Sequence, residues 1–127
     1  MQRKINSFKA QKATSSMDVA VDVIGGKWKM LILAALMEKP QRTSSLQKSL
    51  PYISERILIR QLRQLERHLL IQRKVFASVP PKVEYTITEY GKTLKPVIQQ
   101  LSAWGFEHVK KIYPQKNIDY LVKRFEF

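Results

Sequence analysis

The chain of 127 residues is long enough for one domain with a hydrophobic core, or for a smaller domain with helical extensions. Its hydrophobic content of 44% indicates a folded protein. The absence of cysteine excludes disulfides, thiol nucleophiles, thiolate metal sites and cysteine-based redox sensing. A formal net charge of +13 makes nucleic acid or an anionic membrane surface the first partner to consider.

No apolar run approaches the roughly 20 residues that a membrane-spanning helix needs. Residues 1–12 are basic and lack the hydrophobic segment of a secretory signal, so we expect a cytoplasmic protein. Residues 1–16 are predicted to form a basic arm. That arm is either a solvated tail or a contact to the DNA backbone.

A first helix is predicted over residues 17–24. The hydroxyl groups of residues 14–16 are suitable N-caps, and Asp18 lies near the partly positive end of the helix. The two glycines at residues 25–26 are expected to stop it, because glycine readily adopts the left-handed conformation found at helix ends.

A second helix is predicted over residues 27–38, which are apolar on nearly all sides. We therefore expect this helix to be the buried centre of the domain, with Trp28 as a core anchor. Residues 39–42 break the pattern, and Thr43 or Ser44 is predicted to cap a short third helix.

Residues 54–69 predict an amphipathic helix capped by Ser54, with leucines on one face and arginines on the other. The leucines are Leu58, Leu62, Leu65 and Leu69, and the arginines are Arg56, Arg60, Arg63 and Arg67. A face that serves only solubility usually mixes charges to form pairs along the helix. A face of arginines therefore favours an anionic ligand over the alternative of a solvated surface, and arginine can grip a phosphate or a guanine edge with two hydrogen bonds.

The short helix, a turn at residues 51–53 and the arginine helix together match a helix-turn-helix, in which the second helix enters the major groove. Residues 71–77 and 83–88 then predict two strands, joined by a turn at residues 78–82. This hairpin, or wing, is either a DNA contact or a solvated hairpin. Its cations are Arg73, Lys74 and Lys82.

A long helix is predicted over residues 89–111, capped by Thr88 and bent at Pro96, and a last helix over residues 118–125. A small domain has no evident core for so much terminal apolar surface, which favours a dimer interface over packing within the chain. The predicted interface residues are Val19, Val23, Val97, Leu101, Trp104, Val109 and Ile112.

Several motifs recur in a fixed order along the chain. They are VIGGKW at residues 23–28, ISER at residues 53–56, LRQLE at residues 62–66 and PKVEYTITEYG at residues 81–91. In this order and spacing they resemble the signatures of the HxlR-type family, winged-helix bacterial transcription regulators related to the MarR type. The resemblance extends over about residues 17–105.

The resemblance implies a mainly α-helical fold with a small β-hairpin wing, in which residues 17–105 form the winged helix-turn-helix domain. Residues 106–127 would form a helical extension that contributes to dimerisation. It further implies a regulator, expected to be a repressor, that binds double-stranded DNA as a homodimer. Each recognition helix would occupy one half of an inverted-repeat operator.

The predicted DNA contacts follow from this arrangement. Base contacts are expected from Arg56, Ile59, Arg60 and Arg63. Contacts to the backbone, or for the wing to the minor groove, are expected from Ser54, Arg67 and Lys82. The remaining predicted contacts are Thr43, Arg73 and Lys74.

Two positions depart from the family pattern. Many relatives carry a cysteine just before the first helix, where this chain has residues 14–16 (Thr-Ser-Ser), so thiol-based sensing is not expected. Relatives often have threonine and glutamine where this recognition helix has Ile59 and Arg60. That change predicts a different operator, because isoleucine favours a thymine methyl group.

Two other classes of function remain as alternatives. An enzyme is disfavoured because His68 and His108 are the only imidazoles, lie on different predicted helices and have no carboxylate cluster beside them, so no cofactor or metal is expected. A membrane-surface or protein-interaction module is the second alternative, since basic amphipathic helices also bind anionic lipid. A small apolar effector could also bind near Trp28, Trp104 or Phe106. The favoured interpretation is that these three side chains belong to the core.

Overall fold

The computed structural model describes residues 12–50, 52–115 and 117. Within these residues the chain forms five α-helices, a two-stranded antiparallel sheet and one 3-10 turn. The elements are α1 (Ser16–Ile24), α2 (Lys29–Glu38), α3 (Thr43–Ser49), α4 (Glu55–Arg67), β1 (Ile71–Phe76), β2 (Lys82–Ile87), the 3-10 turn (Gly91–Leu94) and α5 (Lys95–Ile112). The predicted mainly helical fold with a hairpin wing is confirmed.

The core is built around α2, which packs against α3, α4, α5 and β2. Its residues 32–36 are all buried, as expected for a helix that is apolar on every side. The helix begins at Lys29, two residues later than predicted, with Trp28 at the N-cap position. The Trp28 ring is partly buried against the core, and the Lys27 ammonium lies 4.9 Å from its centroid.

The sequence predicted the N-cap of α1 correctly but not that of α3. Ser15 caps α1 as expected, since its hydroxyl accepts a hydrogen bond from the Asp18 N–H at 3.1 Å. The predicted cap of α3 is wrong: Arg42 occupies the N-cap position without a side-chain hydrogen bond, and Thr43 is the first helical residue. The chain turns into the helix one residue early because the main chain of Gln41 is held by β2.

The end of α4 also differs from the prediction. The helix stops at Arg67, and Leu69, expected on its buried face, adopts a left-handed φ of 65° with half of its surface exposed. The Leu69 N–H bonds to the Glu66 carbonyl, and the Leu70 N–H bonds to the Leu65 carbonyl. These two bonds form a Schellman motif, in which buried Leu70 and Leu65 supply the usual apolar contact.

The wing is a regular hairpin in which Ile71 pairs with Ile87 and Phe76 pairs with Lys82. A third, shorter segment joins it, because Gln41 forms an isolated antiparallel bridge with Tyr85. Directly after β2 ends, the Thr88 hydroxyl donates to the Leu69 carbonyl at 2.7 Å. The wing is therefore fixed both to the α2–α3 connection and to the end of α4.

The predicted long helix from residue 89 starts later, at Lys95, after the 3-10 turn. Tyr90 is the N-cap of that turn, and the Thr88 hydroxyl accepts a hydrogen bond from the N–H of its first residue, Gly91, at 2.9 Å. Pro96 consequently lies in the first turn of α5, where its missing N–H has no helical partner to lose. The bend predicted at Pro96 is therefore wrong.

Some predictions fall on residues that are not described. The last predicted helix, residues 118–125, and most of the basic arm, residues 1–11, lie outside the described part of the chain. Among the helices that are described, none combines the length and the apolar character needed to cross a membrane.

Candidate nucleic-acid interface

Helix α4 separates its two kinds of side chain as the sequence predicts. Leu58, Leu62 and Leu65 are fully buried against the core. The opposite face carries four exposed arginines, Arg56, Arg60, Arg63 and Arg67. At 1.5 Å per residue these arginines extend over about 16 Å of helix, which the buried leucines hold against the domain.

The start of α4 is ordered by its cap and by the preceding helix. The Ser54 hydroxyl accepts from the Ile57 N–H at 3.1 Å. The side-chain amide of Gln47 on α3 donates to the Ile53 carbonyl at 3.4 Å, which ties the turn to the first helix of the pair. The Ser54 O–H remains able to donate to an anion beside the partly positive helix end.

A concave volume of about 460 Å³ follows the arginine face. Its described lining residues all belong to α4, and they are Glu55, Arg56, Ile59, Arg60, Arg63, Gln64 and Arg67. Among the described residues, the ion pairs of Lys92 with Glu89 and of Lys110 with Glu107 involve no arginine of α4. The guanidinium groups of this face are thus not neutralised by described acids of the same chain.

Ile59 has a divided environment. Its side chain is partly buried against the core and also lines the concave volume beside Arg60. Only part of its surface is therefore available to a thymine methyl group, the contact predicted from the sequence.

The wing does not bring its three predicted cations together. Consecutive residues of a strand point to opposite faces of the sheet, and residues two apart share a face. Arg73 therefore shares a face with its cross-strand partner Tyr85 and with Ile71. Lys74 and Lys82 lie on the other face, where Lys74 is paired in register with Glu84. All three cations are exposed.

Tyr85 marks the place where the base of the wing meets α4. Burial raises the pKa of its phenol above the ordinary value of 10.0, while Arg73 and Arg63 oppose that rise and Glu66 adds to it. Because Arg63 and Glu66 belong to α4, charges of the arginine helix act on this buried phenol of the wing.

Two features of the helix-turn-helix were not predicted from the sequence. Tyr52, in the turn before α4, is 97% exposed and has a left-handed φ of 76°. Gln41 is buried and anchors the wing. Thr43, a predicted contact, begins α3 and is partly exposed.

The predicted dimer residues lie on α1 and α5, which are the least buried helices. Ile24 is the buried residue of α1, and Ile98 is that of α5. The exposed members of the predicted set are Val19, Val97, Leu101, Trp104 and Ile112. Val23 and Val109 are partly buried, and Val23 packs against the core.

The two histidines lie on different elements, His68 at the C-cap of α4 and His108 within α5. The His108 imidazole stacks on Trp104, with centroids 4.9 Å apart and planes 10° from parallel. No group of three or more histidine, aspartate or glutamate side chains within the described residues is placed to hold a metal ion.

The family model described as HxlR-like helix-turn-helix matches residues 23–113, which include α2 to α5 and the wing. The chain belongs to the HxlR-like helix-turn-helix family. The resemblance inferred from the sequence motifs is therefore confirmed.

Relatives of this HxlR-like chain are transcriptional regulators. YkvN, an HTH-type transcriptional regulator of Bacillus subtilis (strain 168), is 45% identical over 105 residues, which cover 83% of this chain and 89% of YkvN. YtcD, another HTH-type transcriptional regulator of the same strain, is 43% identical over 103 residues, covering 81% of this chain and 82% of YtcD.

Solved structures of other regulators share the fold. The crystal structure of YtcD superposes with a TM-score of 0.73 at 43% identity, covering 76% of this chain and 99% of that structure. The redox regulator HypR in its reduced form gives a TM-score of 0.73 at 37% identity, covering 80% of this chain and 100% of the HypR chain. This chain is thus a transcriptional regulator with a helix-turn-helix DNA-binding fold, and its fold and relatives are those of regulators rather than enzymes.

Proposed function

We propose that the protein is a sequence-specific repressor that binds an inverted-repeat operator in double-stranded DNA as a homodimer. The observation that carries the proposal is the outer face of α4. Its four arginines are exposed, belong to neither described ion pair and stand on fully buried leucines. Such a face presents cations in a fixed geometry, which is what major-groove recognition requires.

The roles of the α4 residues follow from their position along the helix. Arg56 and Arg60, near its N-terminus, are assigned to base edges, with Ile59 and Arg63 beside them. Arg67, in the last turn, is assigned to the backbone.

Outside α4 the assigned contacts are to the sugar-phosphate backbone or, for the wing, to the backbone or the minor groove. Ser54 and the adjacent amides hold a phosphate at the helix start, and Thr43 at the start of α3 holds another. The wing cations Arg73, Lys74 and Lys82 approach the backbone or the minor groove from the two faces of the hairpin.

The homodimer is supported by the surface of α5. At about 100° per residue, Val97, Leu101, Trp104 and Ile112 fall within roughly 80° of one another, and all four are exposed. An apolar stripe of this length on an 18-residue helix calls for a partner surface, and a second copy supplies the same stripe. We assign residues 17–105 to the DNA-binding domain and residues 106–127 to a dimerising extension.

The proposed regulator is cytoplasmic, because the chromosome of a bacterium lies in the cytoplasm. Sensing through a thiol of this chain is excluded, because the chain contains no cysteine. In this respect it differs from a regulator that switches by cysteine oxidation.

Selection of bound sequences from random duplexes, followed by footprinting, tests the proposal. We expect an inverted repeat with half-sites about one helical turn apart. Arg60→Ala should weaken operator binding by about 1–3 kcal/mol and relax base choice at one position. Arg60→Lys keeps the charge but loses the bidentate fork, so it should lose base choice while retaining binding to unrelated DNA.

Equal weakening by Arg60→Ala on every sequence would reduce Arg60 to a backbone contact. Binding to anionic vesicles at physiological salt without duplex binding would replace the whole proposal with the membrane-surface alternative. Lys82→Ala should weaken all duplexes alike and lower the slope of log K against log salt by about one unit.

Sedimentation equilibrium tests the homodimer separately. Leu101→Asp places a charge in the apolar stripe and should yield a monomer with weaker operator binding. Ala103→Asp, which lies on the opposite side of α5, is the matched control and should remain dimeric. A wild-type monomer at micromolar concentration would contradict the proposed assembly.

A further inference from the structure

The tip of the wing is apolar, although the hairpin below it is basic. Between β1 and β2 the chain places Val79, Pro80 and Pro81 at the end of the hairpin, and all three are exposed. Val79 is 101% exposed, so its side chain packs against nothing in the described structure. The exposed apolar surface of these three residues is therefore available to contact a ligand.

The tip also has few groups that can form hydrogen bonds. Proline has no N–H, so of these three residues only Val79 has a main-chain donor. The Pro80 carbonyl already accepts a hydrogen bond from the Ser78 hydroxyl at 2.7 Å. None of the three side chains contains a donor or an acceptor.

Cations lie directly behind the tip. Lys82 opens β2, immediately after Pro81, and Lys74 shares its face of the hairpin. Lys74 lies 5.8 Å from the centroid of the Phe76 ring. Ammonium groups on this one face of the hairpin favour phosphates along one side of a narrow groove, which would leave the apolar tip facing the groove floor.

We propose that the apolar wing tip enters the minor groove beside the recognition site and selects A·T over G·C pairs there. The inference rests on the proposed operator binding and adds a specificity determinant to it. The physical reason is the guanine amino group, the one donor that distinguishes G·C in the minor groove. If Val79 and the prolines cover the guanine amino group, it loses its hydrogen bond to water and gains no protein acceptor. A·T pairs have no amino group in the minor groove, so they do not carry this cost.

Inosine provides the decisive experiment, because I·C keeps the major-groove pattern of G·C but lacks the minor-groove amino group. The A·T pairs that footprinting assigns to the wing are replaced by G·C and, in a second duplex, by I·C. Wild-type protein should bind the G·C duplex about tenfold or more weakly than the A·T duplex, and the I·C duplex within about threefold of it.

Val79→Ser should reduce the difference between G·C and A·T duplexes to within about threefold, since its hydroxyl can accept from the amino group. Val75→Ser is the matched control: Val75 is also exposed but lies within β1, and the variant should keep the wild-type preference. Because the Val79 side chain packs against nothing described, the substitution is not expected to impair folding, which a thermal unfolding midpoint checks.

Equal weakening on G·C and I·C duplexes would overturn the inference, because the protein would then be reading the major groove. No preference among the three duplexes would overturn it too, while leaving operator binding intact. Failure to prefer any selected duplex over a random one would instead overturn the proposed function itself.

Discussion

Gln41 and Tyr85 pair through both of their main-chain polar groups, with N···O distances of 3.0 and 2.8 Å. The Gln41 side chain adds a third bond, since its Nε2 donates to the Ala35 carbonyl of α2 at 2.7 Å. Both residues are buried. This bridge joins the core helix, the connection into the helix-turn-helix and the wing, so it sets the direction of the wing relative to α4.

Gln41→Ala should lower the free energy of unfolding by about 1–3 kcal/mol, because it leaves a buried carbonyl without its donor. Urea denaturation measures the change. Gln72→Ala, on the exposed outer face of β1, is the control and should change stability by less than about 0.5 kcal/mol. Equal effects of the two variants would show that the Gln41 side chain does not contribute to anchoring the bridge.

Two glycines make a matched pair. A Cβ on Gly91 would overlap the Leu70 carbonyl oxygen and the Ile87 side chain, whereas a Cβ on Gly105 would have no atom within 4 Å. Gly91→Ala should therefore cost about 2 kcal/mol or more, because backbone must move. Gly105→Ala, inside α5, should raise stability by up to about 1 kcal/mol. Thermal or urea unfolding of both variants checks the contrast, and a neutral Gly91→Ala would contradict the tight packing.

Tyr52 has a conformation that its side chain does not favour. A left-handed φ of 76° costs a non-glycine residue about 1–2 kcal/mol, and an exposed ring gains little packing in return. Tyr52→Gly removes that strain at an entropic cost of about 0.5–1 kcal/mol, so it should stabilise the free protein by up to about 1 kcal/mol. A fall in the urea midpoint would mean that the ring has a structural role.

The same variant separates stability from recognition. Tyr52 lies just before the capped start of α4, close to the proposed phosphate contact. If Tyr52→Gly raises stability and weakens operator binding, then the strained conformation is retained for the DNA contact. Unchanged operator affinity would leave the strain without a role in recognition.

The buried phenol of Tyr85 should make the free energy of unfolding fall at alkaline pH. Burial raises the pKa of its phenol in the folded protein, so folding favours the neutral form. This contribution is complete below the ordinary pKa of 10.0 and is lost as pH rises from there through the higher folded value. Urea midpoints measured from pH 8 to 11 should fall less steeply for Tyr85→Phe than for the wild-type protein. Tyr90→Phe, at an exposed position, should follow the wild-type curve.

The recognition helix and the wing were predictable because their signals are local and strongly periodic. Leu58, Leu62 and Leu65 repeat at spacings of four and three, and each is fully buried. The alternation along β2 likewise predicts a strand with Tyr85 and Ile87 facing inward. The opposite faces of Arg73 and Lys74 were also available from the sequence, since neighbours in a strand always diverge.

The remaining features depend on contacts between distant residues. Thr88 has the composition of a helix cap, but its hydroxyl binds the end of α4 and so sets a 3-10 turn before α5 begins. Gln41 is held by a strand more than forty residues later, which no local pattern indicates. Tyr52 and Leu69 occupy left-handed positions that usually select glycine, so their side chains gave the wrong signal.

We propose that the arginine face of α4 reads DNA sequence. The most direct test of this proposal compares the affinity of the wild-type protein for its selected operator with that for a scrambled duplex of equal length and composition, at about 150 mM salt. We expect a ratio of about 10³ or more, reduced at least tenfold in the Arg56→Ala, Arg60→Ala double variant. A ratio near one, or a ratio that the double variant leaves unchanged, would contradict the proposal.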